Sequence, residues 1–236
     1  MKNEFRLFVH YVYHESGSES LAEKQNKRVN LEIFLQEAVI NAPSSVEFHF
    51  TNTGYLPQAD EYFKSLGTSE GLHRDQIFPT DKHNLHLRSG EPSSTDLCQH
   101  GRWLSTANVT TGPANFVLFL NDGVRGPFVT ELYKEKAYNE PSINNSGVPR
   151  WFLPFLAKFN NNQDLTMVGP TLSTEITAHV QSYAISLRLV SPTFLMSIAQ
   201  HLVDTCNMTK LEAIQEGEIG LSVSILKRGF SIGSFF

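Results

Sequence analysis

Residues 116–120, Phe-Val-Leu-Phe-Leu, are apolar at every position and stop at Asn121-Asp122-Gly123. Successive side chains of a strand point to opposite faces, so an all-apolar strand must be covered on both sides. That is the place of a central strand in a parallel sheet with helices above and below. Upstream, Leu7-Phe-Val-His-Tyr-Val-Tyr13 reads as a first buried strand, and residues 46–50 alternate as a second. Between them, residues 29–40 put Leu31, Phe34, Leu35, Ala38 and Val39 on one helical face, ended by Asn41-Ala-Pro43. Strand, helix, strand within fifty residues is a βαβ unit. It predicts an α/β fold with a mostly parallel central sheet flanked by helices.

Further along, residues 84–88 and 164–169 read as strands and residues 192–206 as a helix. A last helix over 217–227 ends at Gly229, and 230–232 form a short terminal strand. No repeat, low-complexity tract or linker interrupts the 236 residues, which predicts one domain. Ligands of such sheets bind outside the carboxyl ends of the strands. That singles out four loops: His14-Glu15, residues 51–54, residues 91–96 and residues 121–125.

Other classes lose their supports. A net charge of −5 provides no basic field for a phosphate backbone, so nucleic acid is not an expected partner. No apolar run is long enough to span a membrane, and the polar start does not read as a signal peptide. Cys98 and Cys206 make neither a disulfide framework nor a metal knuckle, and read as two buried free thiols. The three sequons, at Asn108, Asn144 and Asn207, are then chance, and a soluble, cytoplasmic, reducing setting is expected. His10/His14 and His83/His86 have spacings that zinc uses, but without cysteines or a placed third ligand they read as core or solvated histidines. There is no phosphate-binding Gly-x-x-x-x-Gly-Lys loop, no Gly-x-Gly-x-x-Gly fingerprint and no Gly-x-Ser-x-Gly elbow.

What chemistry there is gathers at 120–128, Leu-Asn-Asp-Gly-Val-Arg-Gly-Pro-Phe. A buried strand delivers Asn121 and Asp122 to the sheet edge, where a carboxylate can hold a divalent cation or a sugar hydroxyl. Arg125 could neutralise a phosphate; an ordinary Asn-Asp-Gly turn is the plain alternative. This stretch resembles the strand-to-turn signature of GT-A-type glycosyltransferases related to rhamnan-synthesis proteins. His179-Val-Gln-Ser-Tyr183, after Met167-Val-Gly169, is similar to a second motif of that family. Glu218-Ile-Gly-Leu-Ser, with Gly229-Phe230 eleven residues on, is similar to the final helix of its inverting members.

The resemblance implies a single GT-A, Rossmann-like domain, with a nucleotide-sugar half over about residues 1–125 and an acceptor half over about 126–236. It implies transfer of a sugar from a nucleotide-sugar donor to a glycan acceptor, with inversion as in the family's inverting members, in polysaccharide or glycoprotein glycan synthesis. Asn121 and Asp122 fall on the family's metal- and diphosphate-binding motif, making Asp122 the ligand of a divalent cation (Mn or Mg). Glu218 falls on the general base, which takes the proton of the attacking hydroxyl; a helix-start carboxylate is its structural alternative. Arg125 and Asp96 join the donor set, with Thr51 and Asn52 added by position, and His179 and Gln181 line the acceptor side. The chain departs from the family at Arg88-Ser-Gly-Glu-Pro-Ser-Ser-Thr-Asp96, which lacks the usual asparagine and the Gly-Ala after the aspartate. That departure keeps a second reading open, a non-catalytic carbohydrate- or nucleotide-binding module of the same fold.

Overall fold

Four strands follow one another in parallel: β1 (Arg6–Tyr13), β2 (Val46–Asn52), β3 (Leu85–Ser89) and β4 (Asn115–Asn121). After them come β5 (Leu165–Gly169), a small antiparallel pair β6 (Leu172–Ser173) and β7 (His179–Val180), then β8 (Ala184–Arg188) and β9 (Ser231–Ser234). The sheet order is β3-β2-β1-β4-β8-β5-β9, and β8 alone runs against its neighbours β4 and β5. This computed structural model describes residues 4–40, 42–54, 85–91, 95–124, 126 and 147–235.

The helices are α1 (Leu21–Phe34), α2 (Asp96–Thr106), α3 (Leu153–Asn161), α4 (Pro192–Asp204) and α5 (Gly220–Lys227). Side chains of β4 divide between two cores, as an all-apolar strand requires. Phe116, Leu118 and Leu120 pack with Leu31 and Phe34 of α1 and Phe155 and Phe159 of α3. Val117 and Phe119 pack with Trp103 of α2, Ile198 and Leu202 of α4 and Leu221 of α5. The α/β fold with a mostly parallel sheet flanked by helices is the one expected.

α1 begins eight residues earlier than its apolar face suggests. Ser20 caps it, accepting the Glu23 N–H, while the Glu23 carboxylate accepts the Ser20 N–H at 2.8 Å. Beyond Phe34 the helix continues with π geometry over Leu35–Val39. The last helical stretch is also composite, with one turn (Lys210–Glu212), a π-helical segment (Ala213–Ile219) and then α5. Among the longer elements, α2, α3 and β8 were not legible.

The thiols are a correction. Cys98 and Cys206 are disulfide-bonded, with Cα atoms 4.7 Å apart and 108 residues between them in sequence. Spacing along the chain carries no hint of this, because the pairing arises where α2 meets the turn Thr205–Asn207 that follows α4. The helices meet at Gly101, where a Cβ would lie 2.5 Å from the Val203 backbone nitrogen. Beside the bond, the Thr95 and Thr205 hydroxyls meet at 3.2 Å. Such a bond belongs to oxidising surroundings, at odds with the expected reducing cytoplasm. Among the described residues, no helix is long and apolar enough to cross a membrane.

Candidate active site at the carboxyl edge of the sheet

Strand order reverses between β1 and β4, and the crevice outside their carboxyl ends is where such sheets take ligands. Asp122 stands there, buried. Its Oδ2 accepts the His14 backbone N–H at 2.7 Å and lies 3.3 Å from Lys27 Nζ, while its backbone carbonyl accepts Asn30 Nδ2 at 2.9 Å. Lys27 also donates to the His14 carbonyl and to Glu19, at 2.6 and 2.9 Å. Lys27 and Asn30 are three residues apart, hence neighbours on one face of α1. Below them Glu15 is fully buried, and its carboxylate accepts Arg28 Nε and Nη2 at 2.6 and 2.9 Å and the Tyr13 hydroxyl. Burial pushes the Glu15 carboxyl up, but Arg28 and Tyr13 together hold it below its ordinary value. That pair anchors α1 to the end of β1.

The structure brings Asp96 to the same place. It opens α2, and its Oδ2 accepts Asn121 Nδ2 at 3.0 Å. Asn121 Oδ1 in turn accepts the Gly123 N–H at 3.1 Å, the turn that ends β4. Burial pushes both carboxyls up. Asp122 reaches about 6, with Lys27 drawing it down and Asp96 adding to the rise; for Asp96 the bond from Asn121 offsets part of the effect. Two desolvated carboxylates thus share the neighbourhood of one ammonium. Hard oxygen donors in a negatively biased pocket fit a divalent cation, which would be held by Asp122 and Asp96.

The other donor residues fare differently. Thr51 is fully buried; its hydroxyl accepts Arg88 Nε at 2.9 Å and bonds His10 Nε2 at 2.8 Å. Asn52 Oδ1 accepts the Gly54 N–H at 3.0 Å, shaping the exit of β2. Thr53, beside it, bonds His14 Nδ1 at 3.0 Å. Arg125 lies outside the described residues.

Glu218, His179 and Ser182 form a second cluster. Because β8 is antiparallel, its first residue, Ala184, pairs with Leu120 at the edge where β4 ends. The residues just before it therefore sit on the crevice side. The Ser182 hydroxyl donates to Glu218 Oε2, and His179 Nε2 lies 3.4 Å from Oε1. His179 Nδ1 is 2.9 Å from the Thr177 carbonyl, so its proton is committed there and Nε2 is turned to the carboxylate. Gln181, partly buried, donates its backbone N–H to Thr171 O at 3.2 Å. Gly217 joins the clusters: a Cβ on it would lie 2.9 Å from Leu97 Cδ1 and 2.8 Å from Thr205 Cγ2. Leu97 follows Asp96, so the segment bearing Glu218 packs on the start of α2.

Sequence reasoning missed Lys27 and Arg28, and gave no individual role to Glu15 in its loop or to Ser182 in the 179–183 motif. A usable signal existed for Lys27: Ser20-Leu-Ala-Glu23 is a capping-box pattern that starts the helix at Leu21 and puts Lys27 and Asn30 on one face. For Ser182 the signal was its place inside the 179–183 motif.

No family model and no curated protein sequence matches the chain. Solved structures resemble it distantly. A mannosyltransferase from Pyrobaculum calidifontis, solved with GDP-Man and Mn2+, is 10% identical with a TM-score of 0.45, over 99% of this chain and 55% of that one. A 4-diphosphocytidyl-2C-methyl-D-erythritol synthase from Anaerococcus prevotii is 11% identical at 0.43, over 96% and 86%. The glycosyltransferase GlyE of Streptococcus pneumoniae is 13% identical at 0.42, over 97% and 44%. The chain thus spans about half the length of the mannosyltransferase. Likeness this remote transfers no chemistry.

Proposed function

We propose that the chain is a GT-A-type glycosyltransferase, moving a sugar from a nucleotide-sugar donor to a glycan acceptor with inversion at the anomeric carbon. The observation that carries this reading is the meeting of two clusters on one sheet edge: a charge-binding set (Asp96, Asn121, Asp122, Lys27) and a base set (Glu218, His179, Ser182). Donor contacts come from the first half of the chain, with Asn52 and Arg125 added by position, and Thr51 supporting them from beneath. Acceptor contacts come from the second half, from His179 and Gln181.

In this mechanism an acceptor hydroxyl attacks the anomeric carbon as the bond to the donor phosphate breaks. The electron pair leaves on the phosphate oxygen. The hydroxyl proton passes to Glu218, for which His179 Nε2 is the adjoining acceptor. Ser182, donating to Oε2, fixes the plane of the carboxylate. Lys27 is the fixed positive charge beside the departing phosphate. A divalent cation held by Asp122 and Asp96 would supply further neutralisation of the diphosphate.

The test is thermal unfolding against a panel of nucleotide sugars and nucleotides, with and without Mn2+. A ligand at a hundred times its Kd adds about 2.7 kcal/mol, a rise of roughly 5–10 °C for a chain of this size. A shift with one donor class supports the reading, and transfer or hydrolysis of that donor establishes catalysis. Binding without turnover makes the chain a binding module, and no shift with any nucleotide overturns the donor site.

A further inference from the structure

His10, His49 and His86 stand side by side across three strands, since His10 pairs with His49 between β1 and β2 and His49 with His86 between β2 and β3. The row runs from a fully buried end to an open one. His10 is enclosed, stacked on Trp103 at 4.6 Å and bonded through Nδ1 to His100 Nδ1 at 2.8 Å. His86 keeps half its side chain in solvent on β3, the edge strand. Two positions before His49, on the same face of β2, is Glu47. Its Oε1 lies 2.7 Å from His49 Nε2 and 3.4 Å from His86 Nε2.

We infer that Glu47, His49 and His86 form a binding site for a borderline transition-metal dication, of which Zn2+ is the representative. Residues i and i+2 of one strand, plus the residue opposite on the next, are how a sheet aims three side chains at one point. The three ligand atoms already lie within 4.8 Å of one another. Two imidazoles and a carboxylate suit Zn2+, Cu2+ or Ni2+ rather than Mg2+ or Ca2+. Three protein ligands leave a fourth position for water or another ligand. His49 is the fixed member, packed on Trp103 at 5.0 Å, whereas His86 is the adjustable one. The imidazole rings stack at 4.5 Å with 12° between their planes. Metal at about 2.0–2.1 Å from both nitrogens requires the His86 ring to swing toward His49, and its exposure leaves room for that. Arg88, two positions beyond on β3, ties that strand to Thr51, so a metal here would clamp the edge strand onto β2.

The inference is independent of the glycosyltransferase reading, because the site shares no ligand with Asp96 or Asp122. Its test is titration of the tag-free chain with ZnCl2 in competition with a chromophoric chelator. One equivalent is expected to bind in the wild type and in Asp122→Asn. His86→Ala, an exposed edge substitution, and Glu47→Gln should each lose at least tenfold in affinity while keeping the wild-type circular dichroism spectrum. Absence of a saturable one-equivalent binding step, or equal affinity in His86→Ala, overturns the assignment.

Discussion

Asp122 is a residue the fold tolerates rather than welcomes. Its carboxyl is raised from an ordinary 3.8 to about 6, so the native state holds its proton more tightly than the unfolded chain does. Between those values stability falls as pH rises, and above pH 6 the full cost is present, on the order of 1–3 kcal/mol. Asp122→Asn is therefore expected to raise the unfolding temperature at pH 7.5 and to abolish the Mn2+ dependence of donor binding. A lower temperature at pH 7.5 would mean that the Lys27 ion pair outweighs burial. At Glu218 the expectation is kinetic: Glu218→Gln should cut turnover by about two to four powers of ten and leave the donor-induced thermal shift in place. Unchanged turnover would remove Glu218 from the mechanism. Asp122 and Glu218 were singled out from the sequence because each sits in a short motif, and the roles proposed for them rest on that resemblance. Lys27 was not, since its role comes from a helix start placed too late.

At the scale of elements, what was legible followed apolar continuity. β4 and the helix over Pro192–Asp204 announce themselves through uninterrupted or regularly spaced apolar residues. α2 hides because its buried face is built from Cys98, Gln99, His100 and Gly101 as well as Leu97, Trp103 and Leu104. β8 hides because Ser186 and Arg188 are buried beside Ile185 and Leu187. The α2–α4 contact is where close packing and covalent bonding coincide. A cross-link spanning 108 residues removes about 4–5 kcal/mol of unfolded-state entropy in the loop-closure picture. The double variant Cys98→Ser/Cys206→Ser should accordingly lower the denaturant midpoint, by about 2–5 kcal/mol in stability. Equal midpoints with and without reductant in the wild type would show that the bond contributes nothing.

Across the whole molecule, the sheet was the readable part and its interior polarity was not. Hydrophobic periodicity reports which faces are covered; it says nothing of a polar side chain that finds its partner on another strand. His10 and His100 are the case in point. Burial, then the neighbouring His100 and Arg88, holds His10 far below its ordinary value, and burial takes His100 to about 3. Both stay neutral in the native state while the unfolded chain takes up protons near pH 6.5. Stability is then complete above pH 6.5 and drains as pH falls, by about 1.4 kcal/mol per pH unit for each histidine. Chemical denaturation at pH 7.5, 6 and 5 should show that decline; His100→Gln should lessen it. A flat profile would mean that neither imidazole is held neutral.

The disulfide also changes how far apart the two working ends of the crevice are. Along the backbone, the stretch from Asp96 to Glu218 takes in most of the second half of the chain. Through the sulfur bridge it is short, because Asp96 lies two residues before Cys98 and Glu218 twelve after Cys206. The bridge is thus a covalent shortcut that makes the Asp96 and Glu218 ends of the crevice nearer neighbours in the chain's own connectivity. Fourteen residues and the sulfur bridge then join them, and reduction would leave their spacing to packing alone.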